Sequence, residues 1–249
     1  MAETILGIER LTKRFGGLTA INDLSLAIDK GEVHAVIGPN GAGKTTLLAQ
    51  LSGLLAPDSG RIVFKGQDIT ALPAHVRSAR GLARSFQVTS IFLNFTAEDN
   101  VALAVQAHAG HSFRFVRAAR AEPALREPAR KALARVGLEH RANVVAADLS
   151  HGEQRQLEIA MALATNPTVL LLDEPMAGMG AEESARMIDV LRGFKGTHTL
   201  LLIEHDMDAV FALADRITVL VYGQAIATGK PDDIRRNPEV RRAYLGDEA

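Results

Sequence analysis

The chain has 249 residues, with 28 basic against 29 acidic side chains for a net charge of −1, and no cysteine. At 47% apolar and 23% charged, with 21 glycines and 9 prolines in no period, it is neither disordered nor fibrous and can bury a core without staples. The balanced charge excludes a global field for nucleic acid or an anionic bilayer, and the missing thiols exclude disulfides, Cys-ligated zinc and iron–sulfur clusters.

In chain order, Met1–Arg10 carries Glu3 and Glu9 and no basic stretch followed by an apolar one, so a signal peptide is not expected. Alternation in Ile5–Leu11, Leu24–Ile28 and Arg61–Phe64 predicts a small antiparallel sheet. Val33–Ile37 reads as a buried strand running through a glycine-rich turn into a helix from Lys44 to about Leu51. The middle of the chain, about 88–165, is helix-dominated. It carries Arg114, Arg117, Arg120, Arg126, Arg130, Lys131 and Arg135, interrupted by Pro123 and Pro128. Beyond it, the strands Val169–Leu172, Thr199–Ile203 and Ile217–Val221 alternate with helical patterns over Glu182–Phe194 and Met207–Ala214. Such alternation predicts an α/β fold, a mostly parallel sheet with helices on both faces. The middle then reads as a helical insertion (about 88–165) in one α/β core (about 1–87 and 166–249). Apolar runs such as Leu200–Ile203 fall far short of the ~18 residues of a membrane span, so a cytoplasmic protein is expected.

Gly38-Pro39-Asn40-Gly41-Ala42-Gly43-Lys44-Thr45 matches the phosphate-binding P-loop, G-x-x-x-x-G-K-[ST]. Its glycines let successive amides point at phosphate oxygens, and the helix that follows aims its positive end at the same anion. Lys44 is expected to reach the β- and γ-phosphates, and the Thr45 hydroxyl to ligate Mg²⁺. Asp173, at the end of a buried strand, supplies the carboxylate such a metal needs. Glu174 directly after it is placed to accept a proton from an attacking water.

These motifs stand in an order that resembles the ATP-binding subunits of ABC transporters. Leu149-Ser150-His151-Gly152-Glu153-Gln154 looks like the family's signature, Gln87 after Arg84-Ser85-Phe86 like its Q-loop glutamine, and His205 after Leu200–Ile203 like its switch histidine. The resemblance spans nearly the whole chain. It implies a P-loop NTPase of ABC type, working as a head-to-tail dimer with an identical copy or a paralogue. ATP would be held by Phe15, Gly38, Asn40, Gly41, Ala42, Gly43, Lys44, Thr45 and Thr46 of one subunit and by Ser150, Gly152 and Glu153 of the other. Thr45, Gln87 and Asp173 would hold Mg²⁺, while Glu174, His205, Gln87 and Lys44 would serve catalysis. Ser150-x-x-Glu153 is also a capping box, and a capped helix N-terminus is itself an anion site. The chain departs from the family pattern at His151 (usually Gly), Glu153 (usually Gln) and Gly180 (often Asp).

Lys13-Arg14-Phe15-Gly16-Gly17, Leu157-Glu158-Ile159-Ala160, Ile203-Glu204-His205-Asp206-Met207 and, in the tail, Asn237-Pro238-Glu239-Val240 with Ala243-Tyr244-Leu245-Gly246 look like the branched-chain amino-acid uptake ATPases, the longer of that system's two. This implies peripheral attachment at the cytoplasmic face of the inner membrane to permease subunits, and indirectly a periplasmic solute-binding protein, with no nucleic-acid partner. Related systems (lipopolysaccharide export, urea or other amide uptake) and non-transport ABC scaffolds are the alternatives. A GTPase is disfavoured because no Asn-Lys-x-Asp occurs, and a metal site at His108 and His111 lacks further ligands.

Overall fold

Two twelve-residue strands, β1 (Thr4–Phe15) and β2 (Leu18–Asp29), form an antiparallel hairpin at the start of the chain. The computed structural model describes residues 3–85, 91–109 and 122–245. With β4 (Ser59–Phe64) and β5 (Gln67–Asp68) the hairpin makes a four-stranded antiparallel sheet in the order β2-β1-β4-β5. A second sheet has six strands. It comprises β3 (Val33–Ile37), β6 (Leu82–Arg84), β7 (Val169–Asp173), β8 (Thr199–Ile203), β9 (Arg216–Val221) and β10 (Gln224–Gly229) in the order β10-β9-β3-β8-β7-β6. Its neighbours pair in parallel except β10, which runs antiparallel to β9 at one edge.

Residues of β7 and β8 are buried on both faces, and their alternation divides the core. Val169, Leu171, Leu201 and Ile203 pack with the antiparallel sheet and with Leu47, Leu48 and Leu51 of α1 (Lys44–Ser52). Leu170, Leu172, Leu200 and Leu202 face the opposite way, onto a helical layer. That layer contains α3 (Ala97–Ala109), α4 (Pro123–Arg135), α5 (His151–Leu163) and α6 (Ala181–Arg192). A smaller cluster joins Ala35, Ile37, Ile217 and Val219 to Val210 of α7 (Met207–Leu213) and Ile234 of α8 (Pro231–Arg236). The helix expected over Glu182–Phe194 thus starts one residue earlier and stops at Arg192, with Phe194 buried just beyond it.

Neither of the prolines expected to interrupt the basic stretch breaks the helix that carries Arg126, Arg130, Lys131 and Arg135. Pro123 opens α4, where its missing amide costs nothing, and Pro128 lies within the same helix. Burial of Leu125, Ala129, Ala132 and Leu133 holds the helix together across it. Arg126 donates to Asp99 at 2.6 Å and Arg130 to Glu98 at 3.0 Å, so these two cations bind α3. Arg114, Arg117 and Arg120 lie outside the described residues.

One buried cation closes the far end of the P-loop helix. Arg77, on α2 (Ala74–Ala79), is 1% exposed and donates to the carbonyls of Gln50 and Leu51 at 2.7 and 2.8 Å, and to those of Leu72 and Thr70 at 2.8 Å each. It satisfies the carbonyls that a helix C-terminus leaves open, with the charge that end favours. Arg77→Met leaves them buried and unpaired; urea denaturation is expected to show a loss of about 3 kcal/mol.

Candidate nucleotide-binding site

The loop between β3 and α1 is shaped by close backbone approach. Gly38 has φ +156°, and a Cβ there would lie 2.1 Å from the carbonyl oxygen of Leu220; at Gly43, with φ +104°, it would lie 2.3 Å from that of Ala20. Glycine alone fits both places. Pro39, Asn40, Gly41 and Thr45 are exposed at the rim, with Ala42 buried beneath and Thr46 half-buried. Lys44 is buried and folds back, its Nζ donating to the carbonyls of Gly38 at 2.6 Å and Pro39 at 3.1 Å. Burial lowers the Lys44 pKa, while the charges of Glu174 and Asp173 oppose that shift.

Strand register brings these groups together. Val36 of β3 pairs with Ile203 of β8, and Ile203 with Asp173 of β7, so the three form one row across the sheet. At ~4.8 Å per strand, the row places Asp173 roughly 10 Å from the strand that leads into the loop. Gly38, Glu174 and His205 therefore all leave the sheet at its carboxyl edge, where ligands of open α/β sheets bind.

Asp173 is almost fully buried, and its Oδ2 accepts from Arg84 at 3.0 Å. The same guanidinium donates to Ser52 Oγ at 3.3 Å, at the end of α1. Burial raises the Asp173 pKa against the pull of Arg84. The amide of Glu174 donates to the carbonyl of Ile203 at 2.9 Å, and its backbone has the left-handed φ of +46°. This turns its half-buried side chain to within 3.6 Å of His205 Nδ1.

Glu204 lies beneath His205 at 0% exposure. Its carboxylate accepts from the amides of Met176 and His205 at 3.0 Å each and of Asp206 at 3.5 Å. One buried acid thereby ties the loop after Glu174 to the loop that carries His205.

Lys44, Thr45, Asp173, Glu174 and His205 thus share one edge. Phe15 ends β1 with its ring 48% exposed and the Lys13 ammonium 5.6 Å from its centroid. Ser150, Gly152 and Glu153 form a separate group at the N-terminus of α5. There the capping box is complete, with Ser150 Oγ accepting from the Glu153 amide and Glu153 from the Ser150 amide. Among the described residues, no hydrogen bond joins this group to the P-loop. His151 lies over Gly178, where a Cβ would be 3.4 Å from its ring. Gln87 lies outside the described residues. Sequence reasoning gave no role to Arg84, Glu204 or Glu183; Glu204 stood only in a matching motif.

A parallel sheet whose central strand runs into a glycine-walled loop, with a lysine facing two carboxylates, defines a P-loop nucleoside triphosphatase. The ABC transporter family model matches residues 21–177, and a branched-chain amino acid ATP-binding cassette transporter model matches 226–249. The chain is 39% identical to the high-affinity branched-chain amino acid transport ATP-binding protein BraF of Pseudomonas aeruginosa, covering 99% of this chain and 100% of that protein. It is 38% identical to LivG of Escherichia coli, of the same description, over the same shares. The solved ADP conformation of an ATP-binding cassette of an ABC transporter superimposes with TM-score 0.85 at 31% identity, covering 98% of this chain and 99% of that one. A nucleotide-free cassette gives 0.83 at 30%, covering 98% and 100%. The chain belongs to the ATP-binding cassette family of ABC transporters, and it is an ATPase.

Burial raises the Glu204 pKa more than its three amide donors lower it. The folded chain therefore binds this proton more tightly than the unfolded chain, and the stability gained from it is lost as pH rises through the folded pKa. Glu204→Gln removes that titration. Urea denaturation is expected to show the variant gaining on the wild type as pH rises from the ordinary carboxylate value through the raised one.

Proposed function

We propose that the chain is the ATP-hydrolysing subunit of an importer of branched-chain amino acids, closing on a second ATPase subunit head to tail. It would sit at the cytoplasmic face of the membrane, bound to permease subunits that receive solute from a periplasmic binding protein. Among the described residues no helix is long and apolar enough to cross a membrane, so in this reading the spans belong to those partners. The observation that carries the chemistry is the strand register that brings the Lys44 loop, Asp173 and Glu174 to one carboxyl edge of the sheet.

In this reading Lys44 leaves the carbonyls of Gly38 and Pro39 for phosphate oxygens, which are better acceptors for a buried ammonium. The loop amides and the N-terminus of α1 hold the remaining phosphate charge. Phe15, with its exposed face, stacks on the adenine. Glu174 accepts the proton of the attacking water, and His205, 3.6 Å from it, orients the γ-phosphate and that water. The partner subunit's Ser150 caps the far side of the triphosphate, so hydrolysis reopens the dimer.

The Thr45 hydroxyl and the Asp173 carboxylate make an all-oxygen donor set, which suits Mg²⁺. Asp173 already holds a cation, the Arg84 guanidinium, on Oδ2, so its environment tolerates positive charge. Thr45 and Asp173, with Gln87, would hold the ion, which when bound supplies charge neutralisation on the phosphates.

Glu174→Gln is expected to lower turnover by about 10²–10⁴ while nucleotide binding persists. Normal hydrolysis by that variant would remove Glu174 as the base. Lys44→Ala is expected to weaken nucleotide binding itself, read by titration of a fluorescent ATP analogue. The transport reading is tested by co-purifying membrane subunits and asking whether leucine, isoleucine or valine, presented on a binding protein, stimulates hydrolysis. Stimulation by an unrelated solute alone would reassign the cargo.

A further inference from the structure

The N-terminus of α5, which the proposed function assigns to a partner's ATP, is engaged within the chain by another acid. Ser150 Oγ accepts from the Glu153 amide at 3.2 Å and donates to Glu183 Oε1 at 3.2 Å. Glu183 belongs to the first turn of α6. Its carboxylate rests on the backbone of Gly152, where an added Cβ would lie 2.9 Å from Oε1 and 3.0 Å from Cδ. Gly152 is the second residue of the helix, and amides at that position have no acceptor inside the helix.

Two physical consequences follow from this contact. A serine hydroxyl has one proton, so Ser150 cannot donate to Glu183 and to a phosphate at once. Carboxylate and phosphate are both anions, and at contact distance they exclude each other from the same donors. Glu153, the other acid at this end, is pinned elsewhere, bound to the Ser150 amide at 2.8 Å and to Arg141 at 3.0 Å. Glu183 is the acid free to turn. Arg186, one turn along α6, lines the same small cavity and offers a displaced carboxylate an i,i+3 partner.

We propose that Glu183 gates the partner-facing nucleotide site: its carboxylate holds the Ser150 hydroxyl and the mouth of α5 in the open chain, and ATP carried by the partner subunit must displace it for the dimer to close. The gate rests on the reading of Ser150 as a ligand of the partner's nucleotide. It raises the ATP concentration at which closure occurs and returns a ready acceptor to Ser150 when phosphate leaves.

The test uses the full chain carrying Glu174→Gln, which stops turnover, titrated with ATP and Mg²⁺ and followed by sedimentation velocity. Adding Glu183→Ala or Glu183→Gln is expected to lower the ATP concentration for half-maximal dimer by about 3–10-fold, the weight of one hydrogen bond. The gain must shrink in Ser150→Ala, where the hydroxyl's share of the competition is gone and only the repulsion of two anions at the mouth of α5 remains. A purely structural role for Glu183 gives the opposite sign, because loosening α6 from α5 weakens the dimer. An unchanged or higher ATP requirement in the Glu183 variants, while the parent still dimerises, overturns the gate and leaves the shared-nucleotide reading standing. Failure of the parent itself to dimerise with ATP overturns that reading for identical copies, and the gate with it.

Discussion

The structure turns on a place where two backbones come too close for any side chain. Gly38 runs against the carbonyl of Leu220 and Gly43 against that of Ala20. A third approach seals the same region. At Gly223, in the turn between β9 and β10, a Cβ would be 2.6 Å from the Ala20 oxygen, and its amide donates to the Ala42 carbonyl at 2.9 Å. The phosphate loop is therefore clamped between the antiparallel sheet on one side and the β9–β10 turn on the other. The antiparallel sheet, far from being an appendage, is one wall of the site. With both walls fixed, the two ends of the loop are held in place before any anion arrives, which lowers the ordering cost of binding.

Around that loop each buried charge is compensated differently, and the differences mark what can move. Arg77 is held by four backbone carbonyls at the end of α1 and serves as a fixed closure. Lys44 is also held by carbonyls, but only by two, at the mouth of the loop, where phosphate oxygens compete for it. Asp173 is paired with Arg84 through Oδ2, and among the described residues no hydrogen bond engages its other oxygen, so a second cation can share it. Glu204 is held by three backbone amides, with the His205 imidazole 3.8 Å from its carboxylate. Burial pushes Lys44, Asp173 and Glu204 toward their neutral forms, and these contacts oppose that push.

How much of this was legible in the sequence depends on how far apart the partners lie. The P-loop, the strand ending at Asp173 and the alternating hairpin are local patterns, a fixed spacing or a period, and the chain folds as they imply. Three strands left no such pattern, the two-residue β5 among them. β6 has three residues, too few for a period, and β10 is an edge strand with no buried residue. The charged contacts were invisible for a different reason. Arg84 meets Asp173 across 89 positions, Ser150 meets Glu183 across 33 and Glu204 meets Met176 across 28. No motif links the members of such a pair, and Arg84, Glu183 and Glu204 each look alone like a solvated side chain.

Those three contacts lie along one short piece of chain. From Glu174 it runs through Met176, whose amide is bound to Glu204, and Gly178, which lies under His151, to Gly180, where α6 begins. Glu183 is three residues further on. The segment touches the acid beneath His205 at one end and the acid at the mouth of α5 at the other. Gly180 caps α6 without a side chain, and Glu183 in the first turn ties the start of the helix to Ser150. Displacing Glu183 from Ser150 thus loosens the end of a segment whose other end is bonded under His205. Packed loops shift between discrete arrangements rather than stretching. The two groups of residues, which no hydrogen bond joins directly among those described, are thus linked by a run of chain bonded at both ends.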